Sequence, residues 1–192
     1  MTEKVTKFQS PVPFVLKLRD LIFGKEKPDL FTKINFLLNL VLWAIFMIWS
    51  LFSFYTLEAR NFIYRQKGIP VERIIKNRGR ELGFEGEDFL QRLLTVNGIS
   101  IICWGVVFLS LVLMYRRSKR FYYLFLVPIL FYIGLLFIYV SPSYFFEDTT
   151  TFDKLALIIM LTSASIYYYL IKNKEKDEEI NFFGIETDED GA

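Results

Sequence analysis

Two groups of carboxylates are the first residues in this 192-residue chain whose chemistry is worth weighing: Glu85, Glu87 and Asp88, and Glu147, Asp148 and Asp153. Clustered carboxylates can hold calcium, but neither group has the ligand spacing of a calcium loop. Helix capping and solvation account for both, and no metal is assigned. A third set is basic. Arg73, Lys76 and Arg80 line one side of a short helical stretch and could grip an anionic lipid or an acidic partner, the plain alternative being a solvated face. A fourth is the hydroxyl group of Thr162, Ser163 and Ser165 inside an apolar run, read first as glue between helices and second as part of a polar path.

The residue types that are missing narrow the field. The chain has no histidine, which supplies most general acid–base chemistry near neutral pH and much haem and zinc ligation. Its one cysteine, Cys103, lies in an apolar run and has no partner for an intramolecular disulfide. No lysine or carboxylate sits at membrane depth to activate a serine, so an intramembrane protease or a metal enzyme is not expected. No cofactor is expected either. An enzyme acting at the lipid surface through arginines and carboxylates of the first loop is the remaining catalytic alternative. The net charge of +2 is too small to argue for nucleic acid.

These groups must be positioned by elements that the charge pattern makes plain. Hydrophobic residues make up 53% of the chain and charged ones 23%, but the two are segregated into alternating stretches, as a bilayer imposes and a globular core does not. Ile34 to Leu57 is free of charge over 24 residues, longer than the roughly 30 Å hydrocarbon core requires at 1.5 Å per residue. Leu93 to Tyr115 and Phe121 to Val140 are likewise free of charge, the latter carrying Pro128, where a kink is expected. The shortest run, Leu155 to Ile171, has 17 residues, which snorkelling by Lys154 and Lys172 can extend. The expected fold is an all-α integral membrane protein, a bundle of four transmembrane helices with an interfacial amphipathic helix before it and a short helical loop between spans one and two. The boundaries are 1–30 for the N-terminal segment, 31–57, 93–115, 121–140 and 155–171 for the spans, 58–92, 116–120 and 141–154 for the links, and 172–192 for the tail.

Lysine and arginine set the orientation. Seven precede or open span one, and Arg116, Arg117, Lys119 and Arg120 fill the link after span two, so both ends are expected in the cytoplasm. The link before span four has no basic residue between Ser141 and Asp153, as an external loop should; the loop from Glu58 to Arg92 dissents with eight. No cleavable signal peptide is visible, so span one should serve as its own insertion signal.

The appendages carry the remaining candidates. Phe14, Leu18, Leu21 and Ile22 share a face of a short helix, capped by Ser10 and ended by Gly24, that suits a place in the headgroup layer as an anchor. In the first loop, Gly68 ends an extension of span one, Pro70 starts a helix through about Leu82, and Glu87 and Asp88 open a helix that runs into span two. The acidic tail holds an isolated apolar knot, Ile180, Phe182, Phe183 and Ile185, shaped for ordering on a partner's groove. Inside the spans, Gly98 and Gly105 on one stripe and Ala156, Ser163 and Ala164 on another should allow close helix packing.

No ionisable residue lies inside the four spans, whereas transport of ions or protons usually leaves one there. Asn35, Asn39 and Asn97 are the other polar residues noted, near span ends. The expected function is a non-catalytic accessory or scaffold subunit of a larger bacterial inner-membrane complex, held to other integral membrane subunits and the lipid bilayer, with a cytoplasmic partner for the tail. The alternative is a small transporter or channel module active as an oligomer.

Overall fold

A computed structural model describes residues 28–182, and among them the chain is helical with no strand. In chain order the helices are α1 (Leu30–Glu58), α2 (Arg60–Lys67), α3 (Val71–Glu81), α4 (Gly86–Tyr115), α5 (Phe121–Gly134), a π-helical segment (Leu135–Val140), α6 (Pro142–Glu147) and α7 (Thr151–Phe182). Four stretches are long and apolar enough to cross a membrane: Leu30–Glu58, Glu87–Tyr115, Phe121–Val140 and Thr151–Asn173. The protein is a multi-pass membrane protein. The fourth stretch has 23 residues, because Thr151, Phe152 and the residues around Lys172 prolong the 17-residue apolar run.

Local chemistry sets most of the boundaries. Gly68 stops α2 in the left-handed conformation at φ 66°, and Gly83 at φ 86° follows α3. Pro70 precedes α3, where its missing N–H costs nothing. Ser141 accepts a hydrogen bond from the Tyr144 amide and Pro142 follows it, which starts α6 within the link between spans three and four. At α7, Thr150 and Asp153 bond each other's backbone amides in a capping box. The helical repeat of span three changes at Leu135, seven residues past Pro128, rather than at the proline itself.

The helix α4 is central and packs on α1, α3, α5 and the π segment. Its Val107, Leu111 and Met114 are fully buried with Phe121, Phe125 and Met160. The Trp104 ring stacks on Phe46 at 4.7 Å and meets Tyr132 edge-on at 5.4 Å. Lipid is as apolar as these side chains, so contact geometry and interhelical hydrogen bonds, not exclusion of water, must hold such a bundle together. Those bonds are concentrated at the end that carries the beginning of α1 and the end of α7, here called the terminal face. The opposite end, with α2, α3 and α6, is the loop face.

At the terminal face Thr32 Oγ1 lies 2.9 Å from the Tyr167 hydroxyl, which donates to the Met114 carbonyl at 3.2 Å. Asp29 bonds Thr32 and takes a 2.8 Å ion pair from Arg117. Three segments distant in sequence are thereby tied at one point. Tyr122 stacks on Tyr168 at 4.4 Å beside them.

Candidate functional site

The loop face carries a cavity of about 280 Å³ between α1, α4, α5, the π segment and the α6–α7 link. Its walls include Phe46, Trp49, Tyr132 and Tyr144, and its only charged lining residues among those described are Asp148 and Asp153. Ser50, Ser53 and Thr56 enter it from α1 at three-residue spacing, so one helix face presents three hydroxyls. Ser50 lies eight residues before Glu58, about 12 Å along the helix at 1.5 Å per residue. The cavity therefore penetrates well into the membrane-spanning part of α1. Ser50 is 4% exposed, and among the described residues neither its hydroxyl nor those of Ser53, Thr56, Tyr132 and Tyr144 has a hydrogen-bond partner. The Asn97 amide donates to the Leu93 carbonyl, leaving its own oxygen.

The cavity exists because α1 and α7 are tied at one end only. Their hydrogen bonds, Thr32 with Tyr167 and Asn39 with Ser163, fall in the half toward the terminal face. Toward the loop face the α6–α7 link is drawn aside instead. Arg78 on α3 bonds Asp148 at 3.0 Å, Glu147 at 2.9 Å and Glu81 at 2.7 Å. These three carboxylates hold the Arg78 guanidinium well above its ordinary pKa, Asp148 contributing most. Burial pushes the Tyr144 phenol up to about 12, with the carboxylates of Asp148 and Asp153 adding to it.

The helix α3 is held close to the bundle by its own glycine. A Cβ on Gly79 would meet Phe89 Cβ at 2.6 Å, so only hydrogen fits there. Lys76 bridges Glu72 and Glu87, both at 2.6 Å, and those carboxylates raise its pKa. On the far side of α3 a second cleft of about 600 Å³ is lined by Arg60, Tyr64, Arg73, Lys76 and Arg80. Elsewhere on the loop face Arg92 pairs with Asp88 at 2.9 Å and donates to the Tyr139 carbonyl at 2.7 Å, one of those left over where the π segment ends.

The residues picked out by sequence are distributed as follows. Arg73, Lys76 and Arg80 do share one cleft, but Lys76 is already engaged by two carboxylates, while Arg73 and Arg80 are exposed with no ion pair among the described residues. Gly98 receives the Phe54 ring at 3.4 Å from its would-be Cβ; Gly105 has nothing within 4 Å. Ala156 and Ala164 are buried, and Ser163 meets Asn39. Thr162 bonds the Ile158 carbonyl and Ser165 that of Leu161, each on its own helix. Glu87 is tied to Lys76 and Asp88 to Arg92. Phe14, Leu18, Leu21, Ile22, Phe183 and Ile185 lie outside the described residues, as do the side-chain surroundings of Ile180 and Phe182.

Sequence reasoning passed over Ser50, Ser53, Thr56, Arg78 and Gly79. The three hydroxyls were legible as a stripe, since residues three apart share a helix face. Arg78 was not, because its partners Glu147 and Asp148 are about seventy residues away. Comparison with protein-family models, with curated proteins and with solved structures returns no match.

Proposed function

We propose that the chain is a non-catalytic accessory or scaffold subunit of a larger assembly in a bacterial inner membrane, with both ends in the cytoplasm and the loop face outside. One observation carries this reading: the loop-face cap is locked to the bundle yet turns a mixed apolar and basic surface outward. Phe62, Tyr64, Ile69 and Ile74 are exposed there, all beyond the apolar stretch of α1, and Arg73 and Arg80 flank them. A preordered surface of that kind loses little entropy on docking. It suits an apolar partner segment with acidic flanks. The tail knot and the exposed faces of the spans would add further contacts.

The polar groups of the terminal half support the same reading. Asn39, Ser163, Thr32, Tyr167, Thr162 and Ser165 bond one another or their own helices. The second reading is a transporter or channel module complete as an oligomer, with a hydroxyl-lined path beside Thr162, Ser163 and Ser165; it requires flux that disappears when all three are replaced by alanine.

The test is purification from native membranes in mild detergent. A co-purifying membrane protein that is lost with Ile74→Glu or with Arg73→Glu and Arg80→Glu, while the bundle stays folded, supports the subunit reading. Deletion from Asp177 onward should release any cytoplasmic partner. A monodisperse lone monomer would count against it.

A further inference from the structure

Six hydroxyls that line one cavity, those of Ser50, Ser53, Thr56, Tyr132, Tyr144 and Thr149, have no partner among the described residues, whereas several hydroxyls elsewhere in the spans do. Thr162, Ser163, Ser165 and Ser100 all bond backbone carbonyls of their own helices, the usual resolution in a membrane helix. Ser50, Ser53 and Thr56 do not, and Ser50 is buried. Ser50 is only 4% exposed and lines the cavity, and Ser53 and Thr56 continue its row toward the mouth, so together they turn free acceptors toward whatever fills the space. The volume, about 280 Å³, lies at the lower end of small-molecule pockets and fits a small guest.

The charge of the guest follows from the lining. Asp148 and Asp153 are the charged residues there, and no lysine or arginine enters. Arg78 neutralises only part of the rim, since it is shared by Glu81, Glu147 and Asp148. Tyr132 and Tyr144 also line the cavity, and aromatic rings are favourable neighbours for a cation. Hydroxyl oxygens and the Asn97 carbonyl oxygen accept hydrogen bonds, so they favour a guest that donates several.

We propose that this cavity binds a primary ammonium group, with Asp148 supplying charge at the mouth and the Ser50, Ser53 and Thr56 hydroxyls accepting its N–H groups lower down. Two sources share that chemistry, a free small amine and an aminophospholipid headgroup from the same leaflet. The binding is independent of the docking surface on α3, which lies on the other side of that helix.

The protein in phosphatidylglycerol nanodiscs should be titrated calorimetrically with ethanolamine, with its uncharged analogue ethylene glycol and with inorganic phosphate, while native mass spectrometry compares retention of phosphatidylethanolamine and phosphatidylglycerol. Saturable binding of ethanolamine, or selective retention of phosphatidylethanolamine, is expected, and which of the two occurs identifies the source. Asp148→Asn, which keeps an acceptor for Arg78, should weaken the interaction about tenfold or more, as loss of a charge-assisted contact does. Ser53→Ala, which removes one acceptor from a surface that can tolerate it, should weaken it several-fold with unfolding unchanged. Equal binding of ethylene glycol or phosphate, absence of binding in both arms, or unaltered affinity in both variants would overturn the assignment.

Discussion

Asn39 and Ser163, 124 residues apart in sequence, meet inside the bundle, with Asn39 Nδ2 donating to Ser163 Oγ at 3.0 Å. The Ser163 hydroxyl can donate in turn to Asn39 Oδ1 at 3.2 Å or to the Met160 carbonyl at 3.1 Å. Asn39 is fully buried; its amide also donates to the Asn35 carbonyl of its own helix at 2.9 Å, and α7 beside it supplies the remaining partner. A double-mutant cycle with Asn39→Ala and Ser163→Ala should give a coupling of about 0.5–1.5 kcal/mol, measured by reversible unfolding in mixed micelles. Strict additivity would mean the two side chains do not bond.

Gly79 should not accept a methyl group. With Phe89 Cβ 2.6 Å from the added carbon and both residues buried, Gly79→Ala forces α3 off α4 at a cost of about 1–3 kcal/mol. Faster tryptic cleavage after Arg78 and Arg80 would report it. Gly105→Ala, which meets open space, is the matched control and should leave cleavage unchanged.

Arg117 sits at φ 56°, an unusual conformation for a residue with a Cβ. It follows α4, its amide bonding the Met114 carbonyl while the Ser118 amide bonds that of Leu113, the pattern that normally selects glycine. The ion pair to Asp29 helps to offset that cost. Arg117→Gly and Arg117→Ala both lose the pair, but only alanine keeps the strain, so the glycine variant should be more stable by about 1 kcal/mol in thermal unfolding.

The α3 cap should loosen in acid. Glu72 is held below its ordinary value of 4.5, first by the hydrogen bond from Lys76 and then by that residue's charge, with Arg60 adding less. A depressed folded pKa means that the unfolded chain binds more protons, so the contribution is complete above about 4.5 and lost as the pH falls through the folded value. Amide exchange in α3, corrected for intrinsic rates, should rise across that acid range. Glu72→Gln should flatten the dependence; an unchanged profile would show that the pair does not hold the cap.

The local features of this protein were open to sequence reading because they depend on neighbours in the chain. Four charge-free runs of sufficient length define four spanning helices, and Gly68, Pro70 and Gly83 punctuate the first loop where backbone conformation demands it. Even the α6 start at Ser141 and Pro142 was available from capping chemistry. The candidate site was not. Its cavity requires Ser50 and Ser53 to face Tyr132 and Asp153 across the bundle, and its rim requires Arg78 to find Glu147 and Asp148. Helical period says which residues share a face, but in a membrane every face is apolar enough to meet lipid or protein. Only the tertiary packing, with α1 and α7 joined at the terminal face and parted toward the loop face, decided which polar groups would bond each other and which would line an open space.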